Sequence, residues 1–157
     1  MDDRPEQHLD VEREFRSLLE GLRTTLPGVQ FITAFLLTIP LYERFADLVR
    51  AERVAYYIAF GSALSSSLLL MAPSSHQRIR AQDGRVARHS RRHLEVAVRL
   101  TVVGSALFAV ALTASAFLVS SFVLGTPIAI GVTAFVAAVG AWSWFYLPLV
   151  TFARDTS

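Results

Sequence analysis

Long apolar segments on both sides of a short arginine-rich stretch constrain the fold of this chain more than any other feature. Between residues 96 and 152 the only charged residue is Arg99, and another apolar block precedes the basic stretch Pro73–Glu95. A soluble domain of 157 residues would disperse its apolar side chains instead of collecting them in runs. A helix needs about 20 apolar residues to cross a bilayer. The sequence therefore predicts an all-α, polytopic membrane protein.

The apolar runs predict four transmembrane helices, arranged as two hairpins. We place the spans at about residues 26–45, 54–72, 96–123 and 127–152. Pro27 disfavours helical geometry at Leu26, so a bend is expected where the first span begins. Pro73 is expected to end the second span. Thr126 followed by Pro127 has the pattern of a helix N-cap with proline in the first turn.

Residues 6–25 are predicted to form an amphipathic helix ahead of the first span. Apolar side chains such as Val11, Phe15, Leu18 and Leu22 recur at three- and four-residue steps, with charged residues on the opposite face. Such a helix typically lies along the membrane interface; packing against the basic loop or a partner helix is the alternative. The acidic start of the chain is unlike a signal peptide, so the first span is expected to remain as an anchor.

The distribution of arginine predicts the orientation. The chain has no lysine, and only Arg44, Arg50 and Arg53 lie in the segment that joins the first two spans. If both termini are cytoplasmic, the remaining twelve of the 15 basic residues are cytoplasmic too, a strong positive-inside bias. The N-terminal segment 1–25, a basic loop at 73–95 and the tail 153–157 are therefore expected in the cytoplasm.

The basic stretch is also expected to contact anionic lipid headgroups, because the adjacent spans hold its arginines at the membrane surface. The residues predicted to make these contacts are Arg78, Arg80, Arg85, Arg88, Arg91, Arg92 and Arg99. Arg99 is interpreted as a residue that extends its guanidinium to the headgroups. Nucleic-acid binding is not expected, since no aromatic platform or reading motif accompanies the arginines.

Residue patterns that would indicate catalysis are missing from the sequence. Cysteine is absent, which removes disulfides and thiolate chemistry. No metalloprotease, serine hydrolase or nucleotide-binding motif occurs. His89 and His93 stand four residues apart, a spacing that can bind a metal, but no carboxylate or cysteine is placed to complete a site. We therefore predict no enzyme, no metal and no cofactor.

Polar side chains within the predicted spans form a candidate intramembrane seam. Its members are Gln30, Thr33, Thr38, Ser62, Ser65 and Ser66. Gln30 and Thr33 share one face of the first span, and Gly61 with Ser65 is a pair of small residues that permits close helix approach. The seam could join helices or line a narrow pathway. Carriers coupled to protons or sodium usually hold an acid within the membrane. Here Glu43 and Glu95 only border the spans and the other acids lie outside them, which favours joining.

The segment Leu22–Phe45 (LRTTLPGVQFITAFLLTIPLYERF), followed by Met71–Pro73, resembles a family of small bacterial, chiefly actinobacterial, membrane proteins of unknown function. The resemblance extends from about Glu14 to Leu149. Its most specific parts are PGVQ, AFLLT and the Arg-Phe pair that closes the span. It implies the four-helix architecture and a location in the bacterial inner membrane, and it supplies no established active residues.

The function these features favour is that of a non-catalytic integral membrane protein. It would act as a scaffold, regulator or accessory subunit, as a homo-oligomer or with a membrane protein partner. The alternative is a small transporter or channel-like protein for a cation, a proton or a small solute. Small four-helix multidrug exporters are similar in length, but they depend on a glutamate inside the first span. The closest counterpart here is the uncharged Gln30.

Overall fold

The computed structural model describes residues 4–82 and 91–146, and these are almost entirely helical. The long helices are α1 (Arg4–Thr38), α2 (Arg50–Gln82), α3 (Arg91–Leu124) and α4 (Thr126–Ala141). Two short 3-10 turns, Ile39–Leu41 and Glu43–Phe45, follow α1, and a π-helical turn, Trp142–Tyr146, extends α4. No strand occurs in the described part of the chain. The predicted all-α class is confirmed.

Each long helix, with its flanking turns, contains a segment long and apolar enough to cross a membrane. These segments are Arg16–Leu41, Arg50–Ser75, Leu94–Leu124 and Thr126–Trp144. Even the shortest, with 19 residues, reaches about 28 Å at the rise of an α-helix, close to the roughly 30 Å of hydrocarbon in a bilayer. Four spans were predicted, and four helices of the required length and composition are found in the described residues.

Pro27 lies inside α1 and does not end the helix, which is also helical at Leu26. The bend expected at this point stays a prediction. Proline removes one backbone hydrogen bond from a helix interior. Ending the helix in hydrocarbon would leave several backbone groups unpaired, at several kcal/mol each, so continuing the helix costs less. Residues 6–25 are accordingly helical as part of α1. That this part lies along the membrane interface stays a prediction.

Pro73 does not end the second helix either, because α2 continues to Gln82. Much of the stretch predicted as a basic loop is therefore helical: residues 73–82 belong to α2, and α3 begins at Arg91. The hydroxyls of Ser74 and Ser75 donate to the carbonyl of Met71 at 2.8 and 3.1 Å, which keeps both polar side chains bonded within the helix. Residues 83–90 lie outside the described part.

The chain divides into two compact units. The first comprises Met1–Thr33 and Ala63–Leu107, and it therefore contains parts of α1, α2 and α3. Its buried side chains are Leu22, Val29, Ala63, Ser66, Leu70 and Ala97. The second unit comprises Ala34–Ser62 and Phe108–Ser157. Its buried hydrophobic side chains are Leu36, Leu48, Ala55, Tyr56, Ala59, Phe108, Ala111, Leu118 and Ala129.

Within the second unit, side chains from the start of α2 fix the turn that follows α1. The rings of Phe45 and Tyr56 meet edge to face with centroids 5.0 Å apart. Arg53 donates to two carbonyls of the turn at 3.3 and 3.4 Å. The Glu52 carboxylate accepts a hydrogen bond from the backbone N–H of Val49 at 3.2 Å. This bond satisfies a donor just before α2, as the glutamate of a capping box does.

A single residue, Gly125, separates α3 from α4 in the same unit. Its φ of 83° lies in the left-handed region that favours glycine. Gly125 is the N-cap of α4, so the assignment of Thr126 to that position is wrong, although Pro127 does lie in the first turn. The short turn between the last two spans is confirmed. At the far end of α4, Trp144 stacks on Phe108 with centroids 6.0 Å apart.

Candidate functional site

The polar residues predicted as an intramembrane seam differ widely in burial. Ser66 is fully buried, Thr33 and Ser62 are half-buried, and Gln30, Thr38 and Ser65 are exposed. The hydroxyls of Thr33 and Thr38 donate to carbonyls of α1 itself, those of Val29 and Phe35, at 2.8 and 2.7 Å. Both hydroxyls are thus satisfied without a neighbouring helix.

Ser66 is the seam residue that joins two helices. Its hydroxyl, on α2, donates to the carbonyl of Gly104, on α3, at 2.7 Å, and both residues are buried. Glycine at position 104 avoids a clash, because a Cβ there would lie 2.8 and 2.9 Å from the Cδ2 and Cγ atoms of Leu70. The missing side chain lets the two backbones approach, as small residues do at helix contacts in membranes. Sequence reasoning found Ser66 but missed Gly104, although a glycine within an apolar run is the signal for such a contact.

The pair Gly61 and Ser65, predicted to permit close helix approach, makes no such contact. A Cβ at Gly61 would meet no atom of the described residues within 4 Å, and Ser65 is exposed. Small size makes a position available for close packing without deciding which face of the helix is packed within the chain, so close approach of another helix to this pair stays a prediction. Ser66, one residue further and about 100° around the helix, occupies the packed face.

Gln30 places an exposed amide on the first membrane-spanning segment. The Gln30 side chain makes no hydrogen bond to any residue that the structure describes. Its neighbours Pro27 and Phe31 are exposed as well, Phe31 by 78%. Gln30 precedes Leu41, the last residue of the segment, by 11 positions. That is about half of the roughly 20 residues that a crossing helix needs, so the amide belongs to the middle of the span.

Four of the arginines predicted to contact lipid lie beyond the ends of the apolar segments. Arg78 and Arg80 follow the segment of α2, which ends at Ser75, and Arg91 and Arg92 precede that of α3, which begins at Leu94. Arg99 is exposed on α3. Arg85, Arg88 and His89 lie outside the described residues. Within the part described, no group of three or more histidine, aspartate or glutamate side chains is placed to hold a metal ion.

Together these features define the class: an all-α protein with four helices of the length and composition of membrane spans, and a close serine–glycine helix contact in its first unit. The chain belongs to DUF6328, a family of unknown function whose model matches residues 2–148. The resemblance to a family of unknown function is thereby confirmed. No curated protein and no solved structure is similar enough to the chain to count as a match. The function must therefore be argued from the site.

Proposed function

We propose that this protein is a non-catalytic integral membrane protein that acts by binding another transmembrane helix, as a scaffold, regulator or accessory subunit. The observation that carries the proposal is Gln30, an exposed amide within a membrane-spanning segment with no hydrogen bond to the described residues. An unpaired polar group in hydrocarbon costs on the order of several kcal/mol. A helix of another chain that offers a donor or acceptor would remove much of that cost.

The limited burial of the spans within one chain supports the same proposal. The apolar stretch of the first span is only 17% buried and that of the fourth only 6%, against 33% for the second and third spans. On the fourth helix, a Cβ at Gly131 or Gly140 would meet no described atom within 4 Å. Glycines with open space beside them let the backbone of a partner helix approach closely.

We place the protein in the bacterial inner membrane with both termini in the cytoplasm. The arginine asymmetry of the sequence supports this orientation. The resemblance to small actinobacterial membrane proteins supports the choice of membrane. A pathway through the predicted seam has less support, because Ser66 is fully buried against Gly104 while Gln30 and Ser65 are exposed.

Photo-crosslinking in native membranes tests the proposal. A photoreactive amino acid at position 30 should capture a protein, either a second copy, giving a product of about twice 17.3 kDa, or a different chain, giving another mass. The matched control is position 68 of α2, where Leu68 is also exposed, by 73%. Position 68 should yield mainly lipid adducts. If position 30 captures lipid alone, as the control does, no partner helix covers Gln30 and the proposal is wrong.

A Gln30→Leu variant measures what the amide contributes. Interhelical hydrogen bonds in membranes contribute up to about 1–2 kcal/mol. Association with the captured partner should therefore weaken by between a few-fold and about 30-fold. The unfolding stability of the single chain should be unchanged, since Gln30 bonds to no described residue of its own chain. The reverse result, lower stability with unchanged association, would place the amide inside the fold.

A further inference from the structure

A groove between α1 and α3 of the first unit brings one carboxylate and four hydroxyls together beside apolar side chains. The polar residues along it are Glu14, Ser17, Thr25, Thr101 and Ser105, and its volume is about 470 Å³. That volume lies within the roughly 300–1,000 Å³ typical of small-molecule sites. The groove is thus large enough for the head of a small amphiphile.

Glu14 gives the described part of the groove a negative charge. Glu14 and the other α1 residues that line it are three or four positions apart, so they occupy one face of the helix. The helical period of 3.6 residues places the other exposed charges of this part of the helix on different faces, away from the groove: these are Arg16, Glu20 and Arg23. Among the described lining residues, Glu14 is the only charged one. The electrostatic preference of the groove is therefore for a cation.

Hydrogen bonding within the helices makes the groove rich in acceptors. The Thr25 hydroxyl donates to the carbonyl of Gly21 at 3.2 Å, and the Thr101 hydroxyl donates to that of Ala97 at 2.9 Å. Because each hydroxyl has one proton, both present only lone pairs to a ligand. The Glu14 carboxylate likewise only accepts. At the polar end of the groove, a cation with N–H donors can bond to the Glu14 carboxylate, whereas a quaternary ammonium cannot. Thr25 lies eleven residues beyond Glu14 on α1, about 16 Å along the helix, so its hydroxyl does not reach the same group of the ligand.

The remaining lining residues indicate a lipid and not a soluble amine. Leu18 and the buried Leu22 give the groove an apolar wall, and a Cβ at Gly21 would meet no described atom within 4 Å, which leaves space. Apart from Glu14, all of the lining residues belong to the membrane-spanning segments Arg16–Leu41 and Leu94–Leu124. The carboxylate thus stands at the polar end of a groove that continues along a membrane span.

We propose that this groove binds the headgroup of an ethanolamine phospholipid. The primary ammonium contacts Glu14, and the glycerol and acyl chains follow Leu18 and Leu22 towards the bilayer. The phosphate remains at the open mouth, in contact with water. This site is independent of the association proposed for Gln30, since none of its residues is shared.

Lipid retention by the purified full-length protein, measured by native mass spectrometry, tests the assignment. Phosphatidylethanolamine should be retained about tenfold or more over phosphatidylcholine, because the choline head keeps the charge but lacks N–H donors. Glu14→Gln should abolish this preference, whereas Glu20→Gln, on the opposite face of α1, should leave it intact. Equal retention of the two lipids by the unmodified protein would overturn the proposal. So would equal losses in the two variants.

A steric variant and a soluble competitor complete the test. Gly21→Leu should block the groove and lower phosphatidylethanolamine retention to the level of phosphatidylcholine, while Gly61→Leu, also in open space, should not. Circular dichroism checks that both variants remain helical. If free ethanolamine displaces the lipid at comparable concentration, the apolar wall contributes nothing, the ligand is a soluble amine, and the lipid assignment is wrong.

Discussion

Replacing Gly104 with alanine should destabilise the first unit. The new Cβ would lie 2.8 Å from Leu70 Cδ2 and 2.9 Å from Leu70 Cγ, well inside the 3.5–4.0 Å that carbon atoms prefer. Leu70 is fully buried, so a shift of its side chain also displaces the side chains packed around it. The strain must be relieved by moving α2 and α3 apart, which would also lengthen the 2.7 Å hydrogen bond from Ser66 to the Gly104 carbonyl.

Three effects set the size of the change in the free energy of unfolding. Overpacking a well-packed site costs about 1–3 kcal/mol. Weakening the Ser66 hydrogen bond adds up to about 0.6 kcal/mol, the average for such bonds in a membrane bundle. In the opposite direction, alanine raises the free energy of unfolding by up to about 1 kcal/mol, because it favours the helix more than glycine does. The net expectation is a loss of about 0–2.6 kcal/mol relative to the unmodified protein, and of about 1–3.6 kcal/mol relative to Gly61→Ala, which keeps only the helix preference.

Equilibrium unfolding in mixed micelles, titrated with a denaturing detergent and followed by circular dichroism, measures this loss. Gly61→Ala is the matched control, because its Cβ meets no described atom and only the helix preference remains; stability should be unchanged or slightly higher. Adding Leu70→Ala to Gly104→Ala should cost less than the sum of the single changes, since the vacated space accepts the new Cβ. A Gly104→Ala variant as stable as Gly61→Ala would refute the reasoning.

Two further predictions concern the membrane. A single cysteine introduced at Ser75 or Ser90 should be protected from an impermeant thiol reagent in intact cells, while one at Ala51 should be labelled. The reason is the arginine asymmetry, which predicts that residues 73–95 are cytoplasmic. Labelling at Ser75 or Ser90 with protection at Ala51 would show the opposite orientation. A synthetic peptide of residues 6–25 should gain helicity when lipid vesicles are added, because its apolar stripe can enter the interface. Unchanged circular dichroism would make this part of α1 a surface for a protein partner instead.

The number and the class of the helices could be predicted from the sequence, because crossing a bilayer depends on the summed hydropathy of about 20 consecutive residues. This summed hydropathy depends only on residues that are consecutive in the chain, and a single polar residue changes it little. The exact ends of the helices are harder to predict, because a single residue does not decide them. Pro27 and Pro73 both lie inside helices, since an interrupted helix in hydrocarbon leaves more backbone groups unpaired than a proline does.

Only the tertiary structure decided which small and polar side chains meet. Gly61 and Gly104 both lie in apolar runs, but only Gly104 has Leu70 against it. Ser65 and Ser66 are adjacent and chemically identical, and a rotation of about 100° exposes one and buries the other. Glu14 and Glu20 both belong to α1, yet only Glu14 lines the groove with α3. Composition determines whether a helix enters a membrane, whereas the face that it packs is set by contacts between residues far apart in the chain.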